Sequence, residues 1–238
     1  MRRAWGALVL ALALTGCPWF DTPVAGGSVE GKVQFGGRPA PGKVVTLLVA
    51  QGGSFVTAQP ATASTNVLGD YRFTGLKAGA YKVTYVSQAV PDGNNVKRDP
   101  NEIGIWRTKA RDVSSSAGVR MPPFDVAYNG LIYPATGIAY VAGKGLPLPF
   151  HWSTHLQAQK YQLIIYANDL GKEPSHFKSR WESHPTALYE DDVRTGKYSW
   201  EVVIDAGEAG EGRSLVRRLD MGPPSANPGT GEPGIPTP

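Results

Sequence analysis

The 238 residues include one cysteine, Cys17. A chain with a lone thiol cannot staple itself with internal disulfides or build a zinc ribbon on paired cysteines. Charge is also sparse. Asp, Glu, Lys and Arg make up 18% of the chain, too little for a coiled coil. The formal net charge is +4, and two of the cations, Arg2 and Arg3, sit in the first three residues. A balance that small gives no electrostatic case for nucleic acid, which requires a clustered basic face. The leading apolar run covers only residues 4–14, whereas a bilayer core of ~30 Å needs ~20 helical residues. This excludes a polytopic membrane protein. What is abundant is turn chemistry, with 29 Gly and 20 Pro, above average usage but below the level of wholesale disorder. With 41% hydrophobic residues, the composition is globular and turn-rich, and the length suits about one to two domains.

Residues 1–17, MRRAWGALVLALALTGC, have a positive start, a short apolar stretch and a small-residue end, the order of a secretory signal. The end, Leu14-Thr15-Gly16-Cys17, resembles the lipobox of bacterial lipoproteins. The resemblance implies cleavage before Cys17, a diacylglycerol thioether on its sulfur and acylation of its new amine. Three acyl chains give a permanent anchor where one would be marginal. Position 18 is Pro, not the Asp that commonly retains such proteins at the inner membrane of enteric bacteria. The expected address is therefore the outer membrane, and the lipid is the expected membrane contact. Residues 18–27 read as a tether.

From Ser28 the apolar residues alternate. Val29, Val33 and Phe35 are interleaved with Glu30, Lys32 and Gln34; Val45, Leu47 and Val49 follow, then Tyr71 and Phe73, then Tyr81, Val83 and Tyr85. A period of two places one set of side chains on a buried sheet face and the other in water. Gly36-Gly37, Pro41-Gly42, Gly52-Gly53, Gly69-Asp70 and Ala78-Gly79 punctuate the runs. Short strands with this punctuation specify an all-β sandwich or barrel. The series Gly31-x-Val33, Gly37-x-Pro39, Val45-x-Leu47, Thr65-x-x-x-Gly69-x-Tyr71-x-Phe73-x-x-Leu76-x-x-Gly79-x-Tyr81-x-Val83 resembles the carboxypeptidase regulatory-like domain. That resemblance implies a non-catalytic, prealbumin-like β-sandwich over 28–129, with Phe124-Asp125-Val126 as its last strand. Gly69 and Gly79 are expected at turns that need a positive φ or no side chain. A long polar insert, 91–122, interrupts the pattern.

Residues 127–133 read as the hand-over to a second unit. Phe150-x-Trp152, Tyr161-x-Leu163-x-Ile165 and Tyr198-x-Trp200-x-Val202-x-Ile204 alternate again. This order resembles a fibronectin type III-like domain over 130–221, with Val193-x-x-Gly196-x-Tyr198 in the pattern of a tyrosine corner. Trp181 is expected on an intervening strand. Residues 222–238 are proline-rich without apolar periodicity and are expected to be a disordered tail. The organisation is thus two tandem antiparallel β-sandwiches behind a leader.

Catalytic constellations are missing. No His is followed by Glu at +1 or +3, so the zinc arrangements of metallopeptidases are absent. The chain also lacks a Gly-x-Ser-x-Gly elbow, a phosphate loop and a dinucleotide fingerprint. His151 and His155 are four apart, but on strand-like sequence that spacing preorganises no metal site. Asp92, Asn94, Asn95, Asp99, Asn101 and Glu102 form an oxygen-rich stretch; its spacing is not an EF-hand's, and it reads as a solvated loop. Glu190-Asp191-Asp192 reads as a charged turn, and Arg213, Arg217 and Arg218 as a solvated strand face. No catalytic residue, metal or cofactor is expected. Trp106 stands out in the polar insert, as a candidate partner contact or as a hydrophobic anchor folding the insert back. The sequence thus leads to a non-enzymatic, lipid-anchored envelope protein with a protein or glycan partner. A glycan reader would need coplanar exposed aromatics among Trp106, Tyr128, Tyr133 and Tyr140. An accessory subunit of a hydrolase would need His176 or His184 near Asp191.

Overall fold

The computed structural model describes residues 25–222, apart from 93–94, 99–100, 129, 136–138, 142–146, 169 and 191–193. The lipobox residues Leu14, Thr15 and Gly16, Cys17 itself and the tail beyond 222 lie outside the described residues. The described elements are strands and one short 3-10 turn, Gly207–Ala209. The fold is all-β and sandwich-like.

In the N-terminal half, the Val29–Phe35 strand runs antiparallel to Asp70–Phe73 and parallel to Val119–Arg120 and Phe124–Asp125. Its alternation is the expected one, with Val29 and Val33 buried between half-exposed Glu30, Lys32 and Gln34. Gly31 is needed for packing, because a Cβ there would overlap the Tyr71 hydroxyl. The second sheet carries Val44–Gln51, Ser54–Ser64 and Gly79–Val86. Val45, Leu47, Tyr71, Phe73, Leu76, Tyr81, Val83, Tyr85 and Phe124 join one buried cluster. Gly69 has the left-handed φ expected of its turn; Gly79 does not, and opens the Gly79–Val86 strand. Phe35 reaches solvent. Gly27 donates to the Ser114 carbonyl, and Leu76 donates back to Gly27, so the chain docks on the fold before the first strand begins.

In the C-terminal half, Leu131–Tyr133, Leu148–Trp152 and Thr186–Tyr189 form a three-stranded sheet. Lys160–Tyr166 and Gly196–Asp205 pair antiparallel, with Tyr161 opposite Ile204, Leu163 opposite Val202 and Ile165 opposite Trp200. These inward residues, with Phe150 and Trp152, are buried. Trp181 follows the Phe177–Lys178 strand and lies outside any strand. Residues 191–193, needed for the expected tyrosine corner, lie outside the described residues.

The halves are joined through the polar insert. The Ile105–Arg107 strand pairs on one side with Gly79–Val86 and on the other with Glu211–Arg213. One hydrogen-bonded sheet of eleven strands therefore crosses from half to half. Small residues make the crossing possible. A Cβ on Gly212 would come within 2.7 Å of the Trp106 ring, one on Gly104 within 2.9 Å of the Ser214 carbonyl, and one on Gly210 would overlap the Arg107 carbonyl. Trp106 fills the space so created. It is 0% exposed, stacks on Phe124 at 5.6 Å and 11°, and donates Nε1–H to the Ala209 carbonyl at 2.9 Å.

Polar bonds reinforce the same seam. The Asp125 carboxylate, fully buried, accepts from the amides of Gly36 (3.0 Å), Gly37 (2.6 Å) and Ala127 (2.8 Å). Its own amide donates to Gln157 Oε1 at 2.7 Å, and Gln157 Nε2 donates to the Pro123 carbonyl. Glu208 pairs with Lys109 and Arg111 across the boundary. His155, buried at 5.5 Å from the Trp106 ring, donates Nε2–H to the Asp125 carbonyl and accepts the Gln157 amide on Nδ1. Both ring nitrogens are thus used by the neutral form, and burial pushes the imidazole pKa down.

Two predictions follow from this seam. Trp106→Ala is expected to cost about 3–5 kcal/mol, the range for emptying a buried large-aromatic site, read from urea denaturation at pH 7; a loss under about 1 kcal/mol would show that the seam does not depend on the indole. For His155, the unfolded imidazole takes a proton near pH 6.5 and the folded one resists. The unfolded state then binds more protons, so stability is full above pH 6.5 and falls as pH drops toward the lower folded pKa. Urea midpoints at pH 7.5 and 5.5 should show this decline, and His155→Gln should shrink it; an equal decline in the variant would assign it elsewhere.

Candidate functional site

The C-terminal half presents two strand edges. Among the described residues, Thr186–Tyr189 pairs only with Leu148–Trp152, and Phe177–Lys178 only with Lys160–Tyr166. Such edges carry backbone donors and acceptors available to another chain. Between them lies an open groove of about 660 Å³. Phe177, Lys178 and Arg180 line it together with Thr186, Leu188 and Glu190. The edge strand is amphipathic by alternation: Tyr189 is buried, while Leu188 is 47% exposed. The groove's charges are mixed. Lys178 and Arg180 contribute cations, Glu182 and Glu190 anions, and His184 Nε2 lies 3.9 Å from a Glu182 oxygen. This lining can accept an extended segment by backbone pairing, with one apolar side chain against Leu188 and charged contacts on either side.

The sequence-derived candidates fall differently. Trp106 is not an exposed contact residue; it is sealed in the seam, which is the anchoring alternative. Tyr128 and Tyr140 are buried as well, and half-buried Tyr133 meets Tyr140 edge-on at 83°. These four aromatics therefore form no coplanar exposed platform for a sugar. His151 lines the groove, whereas His155 lies buried in the seam, so the pair is split. His176 contacts the Tyr189 hydroxyl at 2.7 Å and is not part of the groove wall that His184 joins; Asp191 lies outside the described residues. No cluster of three or more metal-ligating side chains occurs among the described residues.

Of the oxygen-rich stretch, Glu102 is committed elsewhere. It is buried, paired with Lys43, and accepts from Tyr85 (2.6 Å) and Ser87 (3.2 Å). The three arginines do not form one solvated face. Arg213 bridges Glu201 and Glu211, and Arg217 lies half-buried on the neighbouring strand. Burial raises the Glu201 pKa, although Tyr166 donates to it at 2.6 Å and Arg213 faces it at 3.1 Å. The groove itself was not foreseen, because Thr186–Tyr189 and Phe177–Lys178 are too short for alternation to register.

No family model matches the chain, and no curated protein matches it. Solved structures similar to it include a proposed carbohydrate-binding protein from Bacteroides uniformis ATCC 8492, at 12% identity, 83% of this chain, 100% of that chain and a TM-score of 0.28. The fibronectin(III)-like modules of Clostridium thermocellum CbhA match at 13% identity, 89% and 96% coverage and a TM-score of 0.31. BcpA (D312A), the major pilin subunit of Bacillus cereus, matches at 13% identity, 82% and 69% coverage and a TM-score of 0.28.

Proposed function

We propose that this protein is a non-catalytic, lipid-anchored module of the cell envelope that binds a protein partner at the outer membrane. Its partner contributes an extended segment, which pairs along the free edge of Thr186–Tyr189 inside the groove. The observation that carries this reading is the groove itself: an open channel flanked by two strand edges, with exposed Leu188 on its wall. The anchor rests on the leader sequence and its Leu14-Thr15-Gly16-Cys17 end. The seam supports the mechanical part of the proposal, since a sheet shared by both halves joins the groove-bearing half to the half on which Gly27, at the end of the tether, is docked.

Two experiments separate the parts. Wild-type protein should fractionate with membranes and incorporate labelled palmitate, and Cys17→Ser should do neither; a membrane-bound, unlabelled variant would remove the anchor. A photo-crosslinking residue at position 188 should trap an envelope protein, whereas the same residue at Val67, 81% exposed on the other half, should not. Leu188→Lys, which blunts an edge in the way natural sheets do, should reduce binding of the trapped partner about tenfold and leave the fold intact. Equal trapping at both positions, or none at 188, would reject the groove.

A further inference from the structure

A second cleft, of about 390 Å³, opens where the halves meet, between Asn101 and Glu102, Tyr128, Gly130 and Leu131, and the 214–218 segment. Its volume is in the range of small-ligand pockets. We propose that this cleft binds a chain-terminal carboxylate, with the Arg217 guanidinium as its anchor and a peptide ending in an aliphatic residue as its ligand. The proposal is independent of the groove reading, since the two sites share no residue.

Arg217 is half-buried, and its only hydrogen bond among the described residues runs from Nη1 to the Ile132 carbonyl at 3.3 Å. Its carbon centre lies 5.9 Å from the Trp200 ring. Among the described residues no carboxylate pairs with it, although a guanidinium has five donors arranged in a fork that matches a carboxylate. Burial pushes its pKa down; a partly desolvated cation without a counter-charge is costly unless an anion arrives. Arg218, exposed, adds a second cation to the wall, and the nearby Asp220 stands opposite Lys197 on the adjoining strand. The acid in the cleft, Glu102, is already met by Lys43, Tyr85 and Ser87. The uncompensated charge of the cleft is therefore positive.

Two further features narrow the ligand. Tyr128 lines the same cleft; its hydroxyl is buried with no hydrogen-bond partner among the described residues, and burial raises its pKa so that it stays a neutral donor. Unsatisfied buried donors are rare in native folds and call for a partner. Beside the arginines lie Leu131, Leu215 and Val216, which are aliphatic. A carboxylate next to an aliphatic side chain is the chemistry of a peptide C-terminus. An acidic sugar would bring hydroxyls to these aliphatic walls and would find no exposed aromatic face.

The test uses full-length protein in detergent, titrated calorimetrically with acetyl-Ala-Val-Leu as the free acid. Binding is expected, and the C-terminal amide of the same peptide should bind at least tenfold more weakly. Arg217→Gln should abolish the difference between acid and amide, and Arg217→Lys should restore part of it. Because Arg217 also packs near Trp200, Val216→Glu supplies a second variant. That position is 41% exposed, so the melting temperature should hold while the new carboxylate repels the peptide acid. Equal binding of acid and amide, no binding, or binding indifferent to both variants would overturn the proposal. Tighter binding of digalacturonate or inorganic phosphate than of the peptide acid would overturn the peptide assignment and give the cleft to that anion.

Discussion

The constraint on which the rest of this molecule depends is the close approach of Ile105–Arg107 to Glu211–Arg213. Two strands from distant parts of the chain come together there only because Gly104, Gly210 and Gly212 leave no Cβ in the way. The indole of Trp106 then occupies the vacated space and bonds to the Ala209 backbone. The energetic logic is that of a buried core rather than a domain linker. A large aromatic is removed from water, its one polar atom is satisfied, and Phe124 covers its face. Buried charge follows the same rule, since the Asp125 carboxylate is tolerated because three amides converge on it.

This constraint connects the fold to its use. Tandem β-units joined by a flexible linker would present their surfaces at variable angles. A sheet that runs through both instead joins the groove-bearing C-terminal half to the half on which Gly27 is docked. The cleft at residues 101–102 and 214–218 exists only because the halves meet there. One surface depends on the seam for its orientation, the other for its walls. The edges flanking the groove, Phe177–Lys178 and Thr186–Tyr189, remain open because each is short and is the last strand of its sheet among the described residues.

How much of this could be read in the sequence follows from the range of the interactions. The core strands were legible because their burial is written in alternation. Val29, Val33, Tyr71, Phe73, Tyr81, Val83, Tyr161, Leu163, Trp200 and Val202 all point inward as the period requires. Trp106 was visible as an anomaly in a polar stretch, but its partner lies 103 residues away, and no local pattern encodes such a distance. The small residues at 104, 210 and 212 were the available signal, and among 29 glycines they do not stand out. The arginines near the C-terminus misled for a similar reason. Strand alternation separates Arg217 from Arg218, but only the tertiary structure shows that both line a cleft and that Arg217 is half-buried there. The groove depends on where short strands end, which is a property of the assembled sheets.

The central claim is that both halves form one cooperative body. Differential scanning calorimetry of the wild-type chain tests it most directly. The account predicts a single transition whose calorimetric and van't Hoff enthalpies agree. Two resolved transitions, each with the enthalpy of about half the chain, would contradict it.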